Sequence, residues 1–151
     1  MIRFWLFLHL LGFTMWLGGG LASMVAGIAA KREDRAGLGA IARAQAAAHK
    51  AIIAPGAILV VLSGLILTFS VAGRTGELGF NVWLGVMQGA GLVGALMVLL
   101  IGLPTAAKLA RLDPMGQGAA FFDELRQRQR IVASASGMLA LVALVAGAFV
   151  R

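Results

Sequence analysis

Long uncharged stretches dominate the pattern of apolar and polar positions along the chain. They cover residues 4–30, 51–73, 78–107 and 131–150, and every Asp, Glu, Lys and Arg lies outside them. A helix needs about 20 mostly apolar residues to span a bilayer, and each stretch is at least that long. The pattern therefore predicts an all-α fold, an antiparallel bundle of four transmembrane helices that forms a single integral membrane domain over residues 1–151.

The composition excludes the soluble classes of protein. Of the 151 residues, 60% are hydrophobic and 13% are charged, whereas an ordinary soluble domain is about 45–50% apolar and about 25% charged. Disorder requires low hydrophobicity and is excluded as well. The chain has no cysteine, so disulfides, thiolate metal sites and cysteine nucleophiles are excluded. The lipid bilayer is the expected partner, and the net charge of +7 needs no nucleic acid to explain it.

The basic residues are divided unevenly between the two sides of the predicted membrane domain. With four crossings, one side carries three of them and the other carries ten. Because Lys and Arg concentrate in short cytoplasmic loops, both termini are expected outside, in the periplasm of a bacterial inner membrane. The outer residues are Arg3, Arg74 and Arg151, and the inner ones are Lys31, Arg32, Arg35, Arg43, Lys50, Lys108, Arg111, Arg126, Arg128 and Arg130.

Two of the basic segments are expected to extend helices beyond the membrane. Residues 40–48 are rich in alanine, which favours helix, so the second helix should begin before its apolar stretch. Residues 121–130 have the pattern of a helical lead-in to the fourth helix. Pro55 and Pro104 lie within apolar stretches and should bend the second and third helices.

Small residues recur at spacings of four or eight in three of the stretches, which places them on one face of each helix. In lipid, close packing holds helices together, and small residues permit it. These faces are expected to pack within the bundle, and the alternative is that one of them is the seam of a dimer. They comprise Gly19, Ser23 and Gly27, then Gly56 and Gly64, then Gly85 and Gly89.

His9 is the candidate for chemistry, because it is an ionisable residue inside an apolar stretch, where such residues are costly and usually functional. Gly12, Trp16 and Gly19 follow it on the same helical face. An imidazole can bind haem iron axially, and a face with little side-chain volume leaves room for the macrocycle. We therefore expect haem b with His9 as an iron ligand. The alternatives are a histidine hydrogen-bonded to water or a neighbouring helix, and a proton-relay or quinone contact.

The second axial ligand is less well defined. Met87 lies about one turn below Trp83 and near the expected depth of His9, so a His/Met pair is one hypothesis, with Gln88 as a hydrogen-bonding neighbour. His49 is expected roughly 20–25 Å deeper, at 1.5 Å per residue, and cannot reach the same iron. Because it precedes Lys50, we expect His49 to be exposed at the lipid headgroups, with a second, inner haem site as the alternative.

The first two apolar stretches resemble those of the CopD-like and HemJ-like four-helix membrane proteins. The resemblance rests on Leu-His-Leu-Leu-Gly at 8–12, Trp-Leu-Gly-Gly-Gly at 16–20, the segment Lys-Ala-Ile-Ile-Ala-Pro at 50–55, and Ser-Gly-Leu-Ile-Leu at 63–67. A weaker match is Trp-Leu at 83–84. The resemblance to these families implies that haem b is bound by His9. HemJ-like proteins are linked to protoporphyrinogen oxidation and CopD-like proteins to copper import.

One position departs from the HemJ-like pattern. Those proteins have a lysine about one turn after the tryptophan of the third helix, where this chain has Met87. The favoured hypothesis is therefore a small haem b protein that takes part in electron transfer or haem-related redox chemistry. A haem-dependent membrane oxidoreductase is one form of this hypothesis. The alternatives are a cofactor-free accessory subunit of a larger membrane complex, copper transport, and protoporphyrinogen oxidation. A homodimer fits any of them.

Overall fold

The computed structural model of the protein describes residues 1–75 and 81–150. Its regular elements are all helical over these ranges and form four long helices, which confirms the all-α class. Helix α1 is Ile2–Ala29 and helix α4 is Ala119–Ala148. Helix α2 runs through the consecutive segments Arg35–Ala48, His49–Ile53 and Ala54–Thr75, and helix α3 runs through Val82–Leu96, Met97–Gly102 and Leu103–Leu109.

The helices extend beyond the apolar stretches where the sequence indicated it. Helix α2 begins at Arg35, well before residue 51, and α4 begins at Ala119, well before residue 131, so both predicted extensions are confirmed. The predicted outer connection lies mostly outside the described residues, as do residues 78–80 at the predicted start of the third helix.

Each long helix has the length and apolar character of a membrane span. The candidate spans are Ile2–Ala29, Arg35–Ser70, Val82–Leu109 and Ala119–Ala148. Large apolar side chains on their outer faces are exposed, for example Phe69 at 68% and Leu100 at 70%. Since exposed apolar surface of this extent is stable only in lipid, the chain is an integral membrane protein.

The helices pack as two sequential pairs, α1 with α2 and α3 with α4. The α1–α2 contact is closest where Gly12 faces Gly56. A Cβ atom at position 56 would lie 2.7 Å from the backbone nitrogen of Trp16 and 2.8 Å from the carbonyl oxygen of Gly12. The two backbones touch directly, so packing within the bundle is confirmed for Gly56. Trp16 then joins the pairs by laying its indole against Gly94 of α3.

The glycines at the start of α3 have a different environment. Among the residues that the structure describes, none has an atom within 4 Å of a Cβ placed at Gly85 or Gly89, and both glycines are exposed. The expectation that they pack inside the bundle is therefore wrong. Their face of α3 is turned away from the other helices of the chain.

A π-helical turn precedes each proline that interrupts a transmembrane helix. In α2 the turn is His49–Ile53, and the amide of Ala54 bonds to the carbonyl of His49. In α3 the turn is Met97–Gly102, and the amide of Leu103 bonds to the carbonyl of Val98. A proline ring clashes with the carbonyl four residues earlier, and a turn widened by one residue relieves that clash. Pro55 and Pro104 each lie just after such a turn.

Both long basic segments lie at the same end of the bundle, as the charge pattern predicted. Arg35 at the start of α2 donates to the carbonyl of Pro114 at 2.8 Å and pairs with Asp123 of α4 at 2.5 Å. Beneath them Leu38 packs with Phe122 in an apolar cluster. We call this end of the molecule the basic end.

Candidate functional site

His9 lies on α1 and donates a hydrogen bond to α2. Its Nδ1 is 2.9 Å from the carbonyl oxygen of Val60 and 3.3 Å from the hydroxyl oxygen of Ser63. A carbonyl oxygen can only accept, so Nδ1 carries the proton. Ser63 is 1% exposed and donates its own proton to the carbonyl of Leu59, which leaves its oxygen free to accept from His9 as well.

The other ring nitrogen of His9, Nε2, has no hydrogen-bond partner among the described residues. With the proton fixed on Nδ1, a neutral ring keeps its lone pair on Nε2. Metal-binding histidines have the same arrangement, in which one nitrogen donates to a carbonyl and the other faces the metal. The half-buried His9 ring can therefore bind a Lewis acid without first breaking a hydrogen bond.

Gly64 makes room for the imidazole of His9. A Cβ atom at position 64 would lie 3.0 Å from Cε1 and 3.3 Å from Nδ1 of the ring. One turn later, Thr68 donates to the carbonyl of Gly64 at 3.0 Å and accepts from Nε2 of Gln88 at 2.7 Å. Gln88 is therefore connected, through Thr68, to the turn of α2 that holds His9.

The other residues predicted on the His9 face serve packing. Gly12 lies against Val60 and Gly56, and a Cβ atom at Gly19 would be 2.8 Å from the side chain of Ile53. Trp16 is 2% exposed. Helix α2 thus packs against the face of α1 on which the sequence predicted a haem macrocycle, so no room for the macrocycle remains between α1 and α2.

The indole of Trp16 is held by the second helix pair. Its Nε1 donates to the hydroxyl of Ser136 on α4 at 3.3 Å, and its ring carbons would lie 2.9 Å from a Cβ at Gly94 of α3. A buried indole with a satisfied N–H is a core anchor. Trp16, predicted on the His9 face, therefore belongs to the core between the two helix pairs.

Met87 contacts the end of α4. A Cβ atom at Gly147 would lie 3.1 Å from the Met87 sulfur. His9, by contrast, contacts α2. The sulfur of Met87 thus packs on α4, whereas the imidazole of His9 is bonded to α2.

His49 is buried, and the expectation that it is exposed at the membrane edge is wrong. The side chain is 5% exposed, because α2 continues without a break through position 49 and turns this residue toward α4. Its Nδ1 donates to the carbonyl of Gln45 at 2.9 Å, and its Nε2 accepts from the Nε2 amide of Gln129 at 2.9 Å. Both ring nitrogens are engaged, so neither is available to a metal.

A chain of polar side chains continues from His49 across the bundle. Gln45 donates from Nε2 to the carbonyl of Ser23 on α1 at 2.8 Å. Two buried atoms of this chain, the hydroxyl oxygen of Ser23 and Oε1 of Gln129, have no hydrogen-bond partner in residues 1–75 and 81–150. Sequence reasoning missed this chain, because Gln45 and Gln129 belong to segments that look like solvated helix.

No cluster of three or more His, Asp or Glu suited to a metal ion is present in the part of the chain that the structure describes. The residues that hold His9, namely Val60 through its carbonyl and Ser63, were not predicted as site residues. The signal for Ser63 was available, since polar residues inside an apolar stretch seek partners on other helices. The role of the Val60 carbonyl could not be predicted from the sequence, because every residue has a backbone carbonyl.

Comparison with known proteins identifies no relative: no family model, no curated protein and no solved structure matches this chain.

Proposed function

We propose that the protein is a small integral membrane protein that binds haem b through Nε2 of His9 and takes part in electron transfer. The observation that carries this proposal is the hydrogen bond from Nδ1 of His9 to the carbonyl of Val60. It fixes the tautomer and the ring orientation, and it makes Nε2 a better electron-pair donor. His49, with both nitrogens bonded, lacks this property.

The residues present fit an axial ligand better than an enclosed haem pocket. Nε2 of His9 has the chemistry of a haem ligand, but Gly12 and Gly19 are packed against α2. The packed α1–α2 contact would not hold the macrocycle, and the residue that would hold haem is His9, through Nε2. When bound, haem supplies one-electron redox chemistry. The chain itself positions the imidazole and surrounds it with apolar helix surface.

The orientation that we propose places His9 toward the outer, periplasmic side of a bacterial inner membrane. The support is the distribution of Lys and Arg, with ten at the basic end and three on the opposite side. Reporter fusions after residue 151 and within the segment 115–117 should report opposite sides of the membrane, with the C-terminus outside. A cytoplasmic C-terminus would reverse the orientation and move His9 to the inner side.

The resemblance to CopD-like and HemJ-like proteins supports the haem proposal more than the specific activities of those proteins. Met87 stands where the HemJ-like pattern has lysine, so protoporphyrinogen oxidation has less support than electron transfer. Copper transport is also less supported, because the histidines bond to different helices and the sulfur of Met87 packs on Gly147.

The test of the haem proposal is an absorption spectrum of the purified protein, oxidised and reduced, after expression with ample haem. The wild type should show a Soret band, and His9→Gly should lose it. Added imidazole should restore the band in His9→Gly, since the free ring replaces the lost ligand. His49→Ala is the matched control, because it removes an imidazole that has no free nitrogen, and it should keep the band.

Two results would contradict the haem proposal. One is a wild-type protein without a Soret band under these conditions. The other is a His9→Gly protein that keeps a full, unshifted band without imidazole. Circular dichroism should show that each variant is still helical, so that loss of haem is not mistaken for loss of fold.

The second candidate function is that of an accessory subunit without a cofactor, which associates with another membrane helix through the exposed face of α3. The specific observation in its favour is that Gly85 and Gly89 are one turn apart and open. Spacing of this kind allows close approach between helices in lipid. Quinone contact at His9 has no comparable support.

Association through α3 is tested with one pair of variants. Gly89→Leu should weaken self-association of the purified chain, or its co-purification with a partner complex. Gly18→Leu places the same side chain at another open glycine on α1 and should leave association unchanged. Equal association of wild type, Gly89→Leu and Gly18→Leu would remove the support for this function.

A further inference from the structure

A cleft of about 480 Å³ opens at the basic end, between the start of α2 and the loop that follows α3. Gly39 and Arg43 line it from α2, and Arg111, Asp113 and Pro114 line it from the loop. We call it the basic cleft. Its volume falls within the range of small-molecule sites, about 300–1,000 Å³.

The walls of the basic cleft are fixed by specific contacts. Arg35 ties the loop to α2 through the carbonyl of Pro114. The ring of Pro114 lies against Gly39 of α2, at 3.5 Å from the position that a Cβ would take, so the loop packs directly on this turn of the helix. Oδ1 of Asp113 accepts from the amide of Met115 at 2.9 Å. The cleft is therefore formed before any ligand binds, which lowers the entropic cost of binding.

The arginines at this end of the molecule have two different roles. Arg35 is paired with Asp123, so its charge is neutralised and its role is structural. Arg43 and Arg111 form no hydrogen bond or ion pair with any residue that the structure describes. Nη1 of Arg43 folds back to within 3.4 Å of the Cβ position at Gly39, inside the cleft. The cleft therefore holds two guanidinium groups without partners and one carboxylate, that of Asp113, which already accepts a hydrogen bond.

The geometry points to a binding site for a phosphate group between Arg43 and Arg111. Guanidinium groups bind phosphate oxygens through paired, charge-assisted hydrogen bonds. Arg111 lies four residues after the apolar stretch that ends at residue 107, and Arg43 lies eight residues before the one that begins at residue 51, so the basic cleft is on the headgroup side of the apolar helix segments. The phosphate belongs to an anionic phospholipid or to a soluble phosphate compound, since both present the same oxygens. This site is independent of His9 and of haem.

Titration of the detergent-purified full chain with three probes at constant ionic strength tests the site. The probes are dioctanoyl phosphatidylglycerol, dioctanoyl phosphatidylcholine and inorganic phosphate, and the readout is isothermal calorimetry. Saturable binding of phosphatidylglycerol but not of phosphatidylcholine supports the site with a lipid source. Saturable binding of inorganic phosphate, in competition with phosphatidylglycerol, supports it with a soluble source.

Variants distinguish the basic cleft from general attraction to a basic surface. In Arg43→Gln/Arg111→Gln, affinity for the bound probe should fall by about tenfold or more, since two charge-assisted bonds are lost. Arg32→Gln/Arg128→Gln removes the same charge from exposed positions outside the cleft and should bind like the wild type. Equal loss in both double variants, or no saturable binding of any probe to the wild type, would overturn the proposal. Unchanged thermal unfolding without ligand shows that the cleft variant is folded.

Discussion

His9 and His49 both lie on membrane-spanning helices, but their rings have different numbers of partners. His49 is 5% exposed, and both of its nitrogens are bonded within the chain. His9 is half-buried, and within the described parts of the chain its Nδ1 alone is bonded. His49, beside Lys50, thus has no ring nitrogen available to a ligand, whereas Nε2 of His9 is available.

The difference shows that depth in a membrane and depth in a protein are separate quantities. A residue at the edge of an apolar stretch can lie in the core when its helix continues past the membrane and packs there, as α2 does at His49. A residue well inside an apolar stretch can remain accessible when it lies at the edge of a helix pair. The predictions that follow disturb one histidine environment at a time.

The largest effect is expected from Gly56→Leu, which attacks the helix contact that positions His9. A side chain there would meet the backbone of α1 at 2.7–2.8 Å, and overpacking of this kind costs about 1–3 kcal/mol or more. The α1–α2 pair should separate, with a large drop in the yield of folded protein or in the unfolding midpoint. Gly18→Leu, at an open glycine, should unfold like the wild type; equal behaviour of the two variants would contradict the observed packing.

Gly64→Leu should displace the His9 ring while leaving His49 in place. The new Cβ would lie 3.0 Å from Cε1 of His9, and the rest of the leucine side chain adds volume beside the ring, so the ring should shift and its hydrogen bond to Val60 should weaken. Haem affinity should fall by about tenfold or more, which corresponds to about 1.4 kcal/mol. In the haem-free protein, ¹⁵N NMR should show a shifted His9 Nδ1 signal and an unshifted His49 signal. An unchanged His9 signal would show that Gly64 does not support the ring.

Gln129→Leu should affect only the His49 environment. It leaves Nε2 of His49 buried without a donor, and such a loss costs about 1–2 kcal/mol of the free energy of unfolding. Titration with SDS, followed by circular dichroism, measures this. His49→Leu/Gln129→Leu should cost less than the sum of the single changes, because the polar pair is removed together. Additive costs would mean that the two side chains do not interact.

Ser63→Ala should have the smallest effect, about 0.5 kcal/mol of the free energy of unfolding. The main acceptor of His9, the carbonyl of Val60 at 2.9 Å, is unchanged, and His9 loses only the contact at 3.3 Å. The bond from the Ser63 hydroxyl to the carbonyl of Leu59 is lost as well, but that carbonyl belongs to a continuous helix. The haem spectrum should keep its band positions. A loss of haem as large as that in His9→Gly would show that Ser63, and not Val60, determines the orientation of the ring.

The fold was more predictable from the sequence than the site. Stretches without charge predict the four helices, because lipid requires every backbone group to be bonded within the helix. The partners of a side chain depend on how each helix is rotated, and this rotation left little signal here. Gly12 was predicted on an open face for a macrocycle, but α2 covers it. Gly89 was predicted to pack within the bundle, but it is exposed.

The widened turn His49–Ile53 also fixes the rotational phase of α2. One residue of an α-helix corresponds to about 100° of rotation, so the additional residue of a π-turn changes by that angle the direction in which the preceding segment faces. The segment Arg35–Ala48 carries both Gln45 and Arg43. If the turn became regular α-helix with the sequence unchanged, that whole segment would rotate relative to the membrane half. The polar chain to Ser23 and the basic cleft would then be lost together.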